Sequence, residues 1–392
     1  MNKKLLAAAV AAAVVAAPAA FAESTIYGKM HATIDALDYE SGGAAAGANG
    51  NPRGEDNYEV NSRSSRIGFK GSEDLGGGLK AIYQIELSVN AGGGSDGQGS
   101  TSGLGGASRN TFVGLSGDWG TALVGRHDTP AKMAFYAAGN ERLGDSVIDL
   151  NLGSNLTGTP NANQPIGVFH EYRADNVIAY VSPNFSGFTI VGTVIPGEDD
   201  KDTAGQTFGD SRDGIADHYS IGAMYKGNGL KASVGYTSYD LDPASTVATD
   251  GDDYEVLQVG ASYTMNNFSF GAQYEDTDNM PDGFNTGVAQ GAATAPYGNK
   301  GNDYKAWAVT GKYTFGNNAI SAIYTKGEFD SDAAGPTSLD VDIGGWGLAA
   351  EHNFSKRTKV YAAYASGENE YDDVNRSDED NDVFSLGMIH NF

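Results

Sequence analysis

Six histidines, 50 carboxylates and no cysteine are the groups with which this 392-residue chain could do chemistry. The histidines (His31, His127, His170, His218, His352 and His390) are scattered, and none has the spacing that brings ligands together on a metal. No serine sits in a nucleophile elbow between a strand and a helix. The glycine-rich run NAGGGSDGQGSTSGLGGAS (90–108) lacks the Lys-Ser/Thr of a phosphate-binding loop, and DGDD (250–253) is not an EF-hand. No enzyme activity, cofactor or defined metal site is expected from these residues. What remains is fixed charge. In RIGFKG (66–71), Arg66 and Lys70 share one parity, and Ile67 and Phe69 share the other. If the segment is a strand, the two cations look to one side and the apolar pair to the opposite side.

The elements that must carry these charges alternate with period two, as strands do. In EVLQVGASYTM (255–265), Leu257, Val259, Ala261, Tyr263 and Met265 oppose Gln258, Gly260, Ser262 and Thr264. FSFGAQYE (268–275), KAWAVTGKYTF (305–315) and DVFSLGMIHNF (382–392) behave alike. Further segments cover roughly 24–37, 63–72, 79–89, 109–117, 120–126, 168–181, 187–195, 216–226, 230–240, 318–329, 342–354 and 357–367, giving sixteen in all. Seven of the connections are short and rich in Gly, Asn, Asp and Pro, the residues of tight hairpins, among them GDWG (117–120), KGNG (226–229) and FGNN (315–318). Eight are long and polar: about 38–62, 90–108, 127–167, 196–215, 241–253, 278–302, 330–341 and 368–381. The two kinds alternate, so both chain ends fall on the short-turn side.

A bilayer imposes this asymmetry. Backbone groups in hydrocarbon must pair internally, so a sheet spans only as a closed barrel. Bacterial outer-membrane barrels have even strand numbers, short periplasmic turns, long external loops, an apolar outer face and a polar lumen. Tyr, Phe and Trp at the ends of the apolar faces suit an interfacial girdle. The expected fold is therefore all-β, a 16-stranded antiparallel transmembrane β-barrel over residues 23–392. Residues 1–22 read as a signal peptide: Lys3-Lys4, an Ala-rich apolar run, then Ala20-Phe21-Ala22 as a cleavage site. A soluble β-sandwich would also alternate, but it would not need the strict short/long order, and its core would be richer in Leu, Ile and Val.

Four stretches resemble one family. RIGFKGSEDLGGGLKAIYQIE (66–86), FVGLSGDWGTALVGRHDTP (112–130), SPNFSGF (182–188) and GMIHNF (387–392) are similar to strands, turns and the terminus of the Gram-negative general porins. The resemblance implies a homotrimeric outer-membrane channel for passive diffusion of ions and small hydrophilic solutes. It implies a third loop folded into the barrel, here 127–167, the longest of the eight. By the same resemblance Glu141, Asp145 and Asp149 are candidates for the acidic side of a constriction. Arg66, Lys70, Arg109 and Arg126 are candidates for its basic wall, with Arg173 weaker; Arg126 could instead anchor the loop. The family's terminal aromatic strand implies that Phe392 is read by the barrel-assembly machinery. Outer-membrane lipid and lipopolysaccharide are the expected surroundings, and no nucleic acid is an expected partner. A barrel hydrolase and a structural or adhesin barrel are the alternatives.

The charge is unevenly placed. The eight long loops hold 32 carboxylates against seven basic residues, nearly the whole deficit of a chain whose formal charge is −25. An acidic mouth concentrates cations, so a modest cation preference is expected unless the basic wall reverses it.

Overall fold

The computed structural model describes residues 23–41, 57–91, 103–151, 164–196, 215–239, 253–280, 302–331, 340–372 and 378–392. The leader 1–22, the run GEDDKD (197–202) and most of the loop tips lie outside the described residues.

The strands are β1 (Glu23–Ser41), β2 (Asn57–Ser62), β3 (Arg66–Gly76), β4 (Leu79–Asn90), β5 (Gly103–Gly117), β6 (Gly120–Asp128), β7 (Arg173–Val181), β8 (Phe188–Ile195) and β9 (His218–Gly227). They continue as β10 (Leu230–Tyr239), β11 (Tyr254–Met265), β12 (Phe268–Met280), β13 (Asn302–Phe315), β14 (Asn318–Ser331), β15 (Val341–Asn353), β16 (Thr358–Tyr371) and β17 (Glu379–Asn391). These seventeen segments make sixteen staves. β2 and β3 lie end to end, both paired to β1, the first along Ala32–Leu37 and the second along Glu23–Lys29. Each later strand pairs antiparallel with the next, and β1 pairs with β17 from Lys29↔Asn391 to Ser41↔Glu379. Among the described residues the ring is closed, each stave pairing with a neighbour on either side. Phe392 completes the seam by exchanging both backbone hydrogen bonds with Gly28 (3.0 and 3.1 Å).

The burial pattern is that of a barrel in lipid. Leu257, Val259 and Tyr263 are exposed, while Gln258, Gly260 and Ser262 of the same strand are buried. Aromatic pairs on the outer face form two tiers. Trp307–Tyr324 and Trp346–Tyr364 (both 5.4 Å between ring centres) lie toward the long loops, and Phe268–Tyr313 (4.5 Å) lies toward the turns. Trp307 and Tyr313 are six residues apart, roughly 20 Å of strand, comparable with the apolar band of such barrels. The short turns use their special residues as the sequence suggests. Asn228 (φ 51°) and Gly229 (φ 80°) both adopt the left-handed conformation that a two-residue hairpin requires.

Two boundaries differ from the sequence reading. The second stave begins at Asn57 and breaks at residues 63–65. There Arg63 turns inward to a buried ion pair with Asp35 at 2.6 Å, supported by Asn61 and Thr33. The strand expected over 168–181 starts only at Arg173, because Val168 and Phe169 are fully buried in a segment folded into the lumen.

Candidate functional site

That segment is the long connection after β6. Thr129 caps helix α1 (Pro130–Ala137), accepting the N–H of Lys132. Proline at the first helical position costs no hydrogen bond. The helix crosses the lumen and packs on β9, β10 and β11. It can do so because the wall there is bare. A Cβ on Gly222 would lie 2.8 Å from the carbonyl of Pro130, and one on Gly235 would lie 2.5 Å from Ala131 Cα. Further on, Gly260 makes room for Ala138, Gly271 for Asn140, Gly347 for Ile148 and Gly367 for Pro165. These glycines face the loop from β9, β10, β11, β12, β15 and β16.

Polar and apolar contacts then fix the loop. Ser233 and Ser262 donate to the carbonyls of Ala134 and Ala138 (both 2.6 Å). Asn140 donates to Ala272 O (2.7 Å), and Arg142 donates to Thr310 Oγ1 (2.8 Å) and Ser269 Oγ (2.9 Å). Tyr304 and Thr325 donate to the carbonyls of Val168 (2.5 Å) and Ile166 (2.8 Å). Val147, Ile148, Leu150, Ile166, Val168 and Phe169 bury themselves against the small inward residues Ala306, Ala308, Ala363 and Ala365. A barrel of this width would otherwise be an open channel.

The loop carries its acids to the far wall. Asp145, in the left-handed region (φ 59°), forms ion pairs with Lys29 of β1 and with Arg66 of β3 (3.4 Å). Behind them Glu86 of β4 accepts from Arg109 (2.6 Å) and Tyr27 (2.8 Å) and lies 4.0 Å from Arg66. Lys70 sits over the Tyr27 ring at 4.9 Å. Lys29, Arg66 and Arg109 thus form one basic wall around Glu86, with Asp145 reaching it from the loop.

Glu141 and Asp149 brace the loop instead of spanning the gap. Glu141 accepts the N–H of Leu150 (3.0 Å), and Asp149 accepts those of Asn151 (2.8 Å) and Asp145. Burial, together with neighbouring carboxylates, raises the Glu141 carboxyl well above the usual range and pushes Asp149 up to about 7. Asp145 is also desolvated, but the nearby cations, Lys29 foremost, hold its carboxyl well below the ordinary value.

Arg126 goes elsewhere. It shares the parity of Val124, which is exposed on the outer face, and it pairs with the half-exposed Asp175 at 2.5 Å, apart from the cluster around Asp145. Arg173 pairs with Asp128 (2.7 Å) at the loop's root, where Lys132 also reaches Glu171 (3.0 Å).

Arg109 lies on the wrong parity for the lumen if its strand is regular, since it shares it with the exposed Val113 and Leu115. A bulge between Thr111 and Ser108 in the pairing with β4 re-aims it inward, a usual effect of an extra residue in a strand. Lys29 and Glu86 were not among the sequence candidates. Lys29 shares the parity of His31, which was available as a signal; for Glu86 the alternation of β4 with Gln84 was the only one. His31 itself is buried against the Tyr361 hydroxyl (2.7 Å).

The arrangement brings Asp145 of the inserted loop into contact with basic residues of the far wall, while Glu141 and Asp149 are engaged by backbone amides. Comparison with known proteins places the chain as a whole. A family model described as Gram-negative porin matches residues 7–373. The major outer membrane protein P.IB of Neisseria gonorrhoeae is 27% identical over 379 residues, covering 92% of each chain. Among solved structures, an anion-selective porin from Comamonas acidovorans superposes with a TM-score of 0.62 at 20% identity, covering 95% of this chain and all of that one. The trimer form of OmpT from Vibrio cholerae superposes at 0.58 and 14% identity, covering 95% and 99%. By fold, by lumen and by sequence, the chain belongs to the Gram-negative porin family and is an outer-membrane diffusion channel, not an enzyme.

Proposed function

We propose that Asp145 on the inserted loop, facing Lys29, Arg66 and Arg109 on the wall, sets a transverse field that filters ions and small hydrophilic solutes. Lys70 extends the basic wall toward the turns, while Glu141 and Asp149 stiffen the acidic side. Arg126, with its partner Asp175, belongs to the rim in this reading and not to the narrow passage. Such a field orders water across the pore and penalises apolar solutes, while fixed charge tunes ion selectivity. The observation that carries the reading is the ion pairing of Asp145 with both Lys29 and Arg66.

The working unit is a homotrimer, a reading supported by the structural likeness to the trimer form of OmpT. Its outer face sits among lipid and lipopolysaccharide, and Phe392 presents the terminal strand to the assembly machinery. The leader 1–22 is removed on export. Planar-bilayer recording tests the core of this: stepwise openings with closures in threes are expected. In a salt gradient, Arg66→Ala and Asp145→Ala should move the reversal potential in opposite directions. Equal shifts of one sign, or silence at high protein, would remove the charged-filter reading.

A further inference from the structure

Below the inserted loop, toward the short turns, the lumen changes character. Lys226 of β9 and Lys231 of β10 are direct register partners. Both share the parity of residues that face the loop, Gly222 and Gly235. Among the described residues neither forms an ion pair with a carboxylate, although Lys132, Lys312, Lys326 and Lys359 all do. Like charges directly opposed across a ladder are destabilising, and a neighbouring carboxylate would be the usual remedy. The arc of wall from β9 to β16 offers little. On its lumen face beneath the loop, Glu351 is the one carboxylate among the described residues, and it is already held by both Lys312 and Lys359 (the latter at 2.8 Å). Arg142 adds a further cation at the loop's underside. Lys231 lies beside Gly139 at the end of α1, where a Cβ would come 2.8 Å from its Nζ. Lys226 is exposed to the lumen.

This excess is hidden by the formal charge of −25. Much of the described negative charge lies on the outer face toward the long loops, at Asp276, Asp278, Glu328, Asp330, Glu368 and Glu370. Beneath the loop, on the wall of β9 and β10, an ion meets Lys226 and Lys231 instead.

Resting on the channel reading above, we propose that Lys226 and Lys231 form a specificity-determining pair that collects small oxyanions at the inner mouth. Cβ atoms of opposed residues stand roughly 5 Å apart, so two ammonium groups can close on one tetrahedral or carboxylate anion. The preference is for anions, opposite to the one expected from the acidic loops. It is confined to one end of the pore, so conduction depends on the side from which the anion enters.

The probe is inorganic phosphate, added to one chamber and then to the other while single-channel chloride current is recorded at 0.1 M salt. Phosphate should reduce the current at least about twofold more effectively from one chamber. Lys226→Gln with Lys231→Gln should abolish that difference, whereas Lys305→Gln, on the outer face, should leave it intact. Equal effects from both chambers in the unaltered protein would overturn the proposal even if the double variant fails to assemble. Asymmetry that survives the double substitution would overturn it as well. Absence of any channel steps would instead remove the diffusion-channel reading beneath it.

Discussion

Replacing Asp145 by Asn removes one negative charge where the inserted loop meets the basic wall, while keeping the side chain's shape. Asp145 is the carboxylate that meets both Lys29 and Arg66. An ion passing about 5 Å from it through water feels about 0.8 kcal/mol. At 1.4 kcal/mol per factor of ten, that is about fourfold in local ion concentration. The substitution also uncovers Lys29 and Arg66, which acts in the same direction. The expected result is a chloride-over-potassium permeability ratio raised about fourfold at 0.1 M salt, where the screening length is about 10 Å, and a much smaller change at 1 M, where it is about 3 Å. The assay is the reversal potential across a planar bilayer under a salt gradient. Heat-modifiable migration on a gel confirms that the variant is folded. An unchanged ratio in a folded variant, or a shift toward cations, would mean that permeating ions do not sense this carboxylate.

Further outcomes follow from other parts of the lumen. Asp149 is neutral below and charged above about pH 7, so selectivity should move toward cations as pH rises from 5 to 8, and Asp149→Asn should flatten that profile. Because its carboxyl is raised in the folded loop, its contribution to seating the loop is present at low pH and lost as pH climbs through about 7; current noise should increase over that range. Gly235→Val sets side-chain atoms against the backbone of α1, so the helix must lift, broadening the distribution of single-channel conductances. Arg63→Gln leaves Asp35 buried without its cation, at a cost of about 3–5 kcal/mol, and should lower the temperature at which the barrel unfolds in detergent. Deleting Phe392 removes the backbone pair with Gly28 and should reduce the heat-modifiable fraction recovered from outer membranes.

Alternation and turn chemistry made the staves legible, since lipid demands an apolar parity at each spanning strand and hairpins demand residues such as Asn228 and Gly229. The placement of individual charges was less so, because parity is reliable only while a strand stays regular. The bulge beside Arg109 and the break before Arg66 each reset the face on which a residue emerges. Arg126, just before the loop, leaves the cluster for Asp175. Residues 168–172 looked like strand because apolar residues also line the loop's return limb, which is covered on both sides inside the lumen. Lys29 sat in plain view, but nothing local shows that a loop more than a hundred residues later will meet it.

The glycines under the inserted loop have one more consequence. Helix α1 rests in notches cut into the wall, its main chain set against the bare strand at Gly222 and Gly235. Any side chain added at Gly222, Gly235 or Gly260 would push back directly. Residues at the tip, by contrast, meet the wall through long side chains such as Lys29 and Arg66. Over generations the passage can be retuned in polarity by single exchanges at its edge. Its calibre is tied to several strands at once and can change only if they change together.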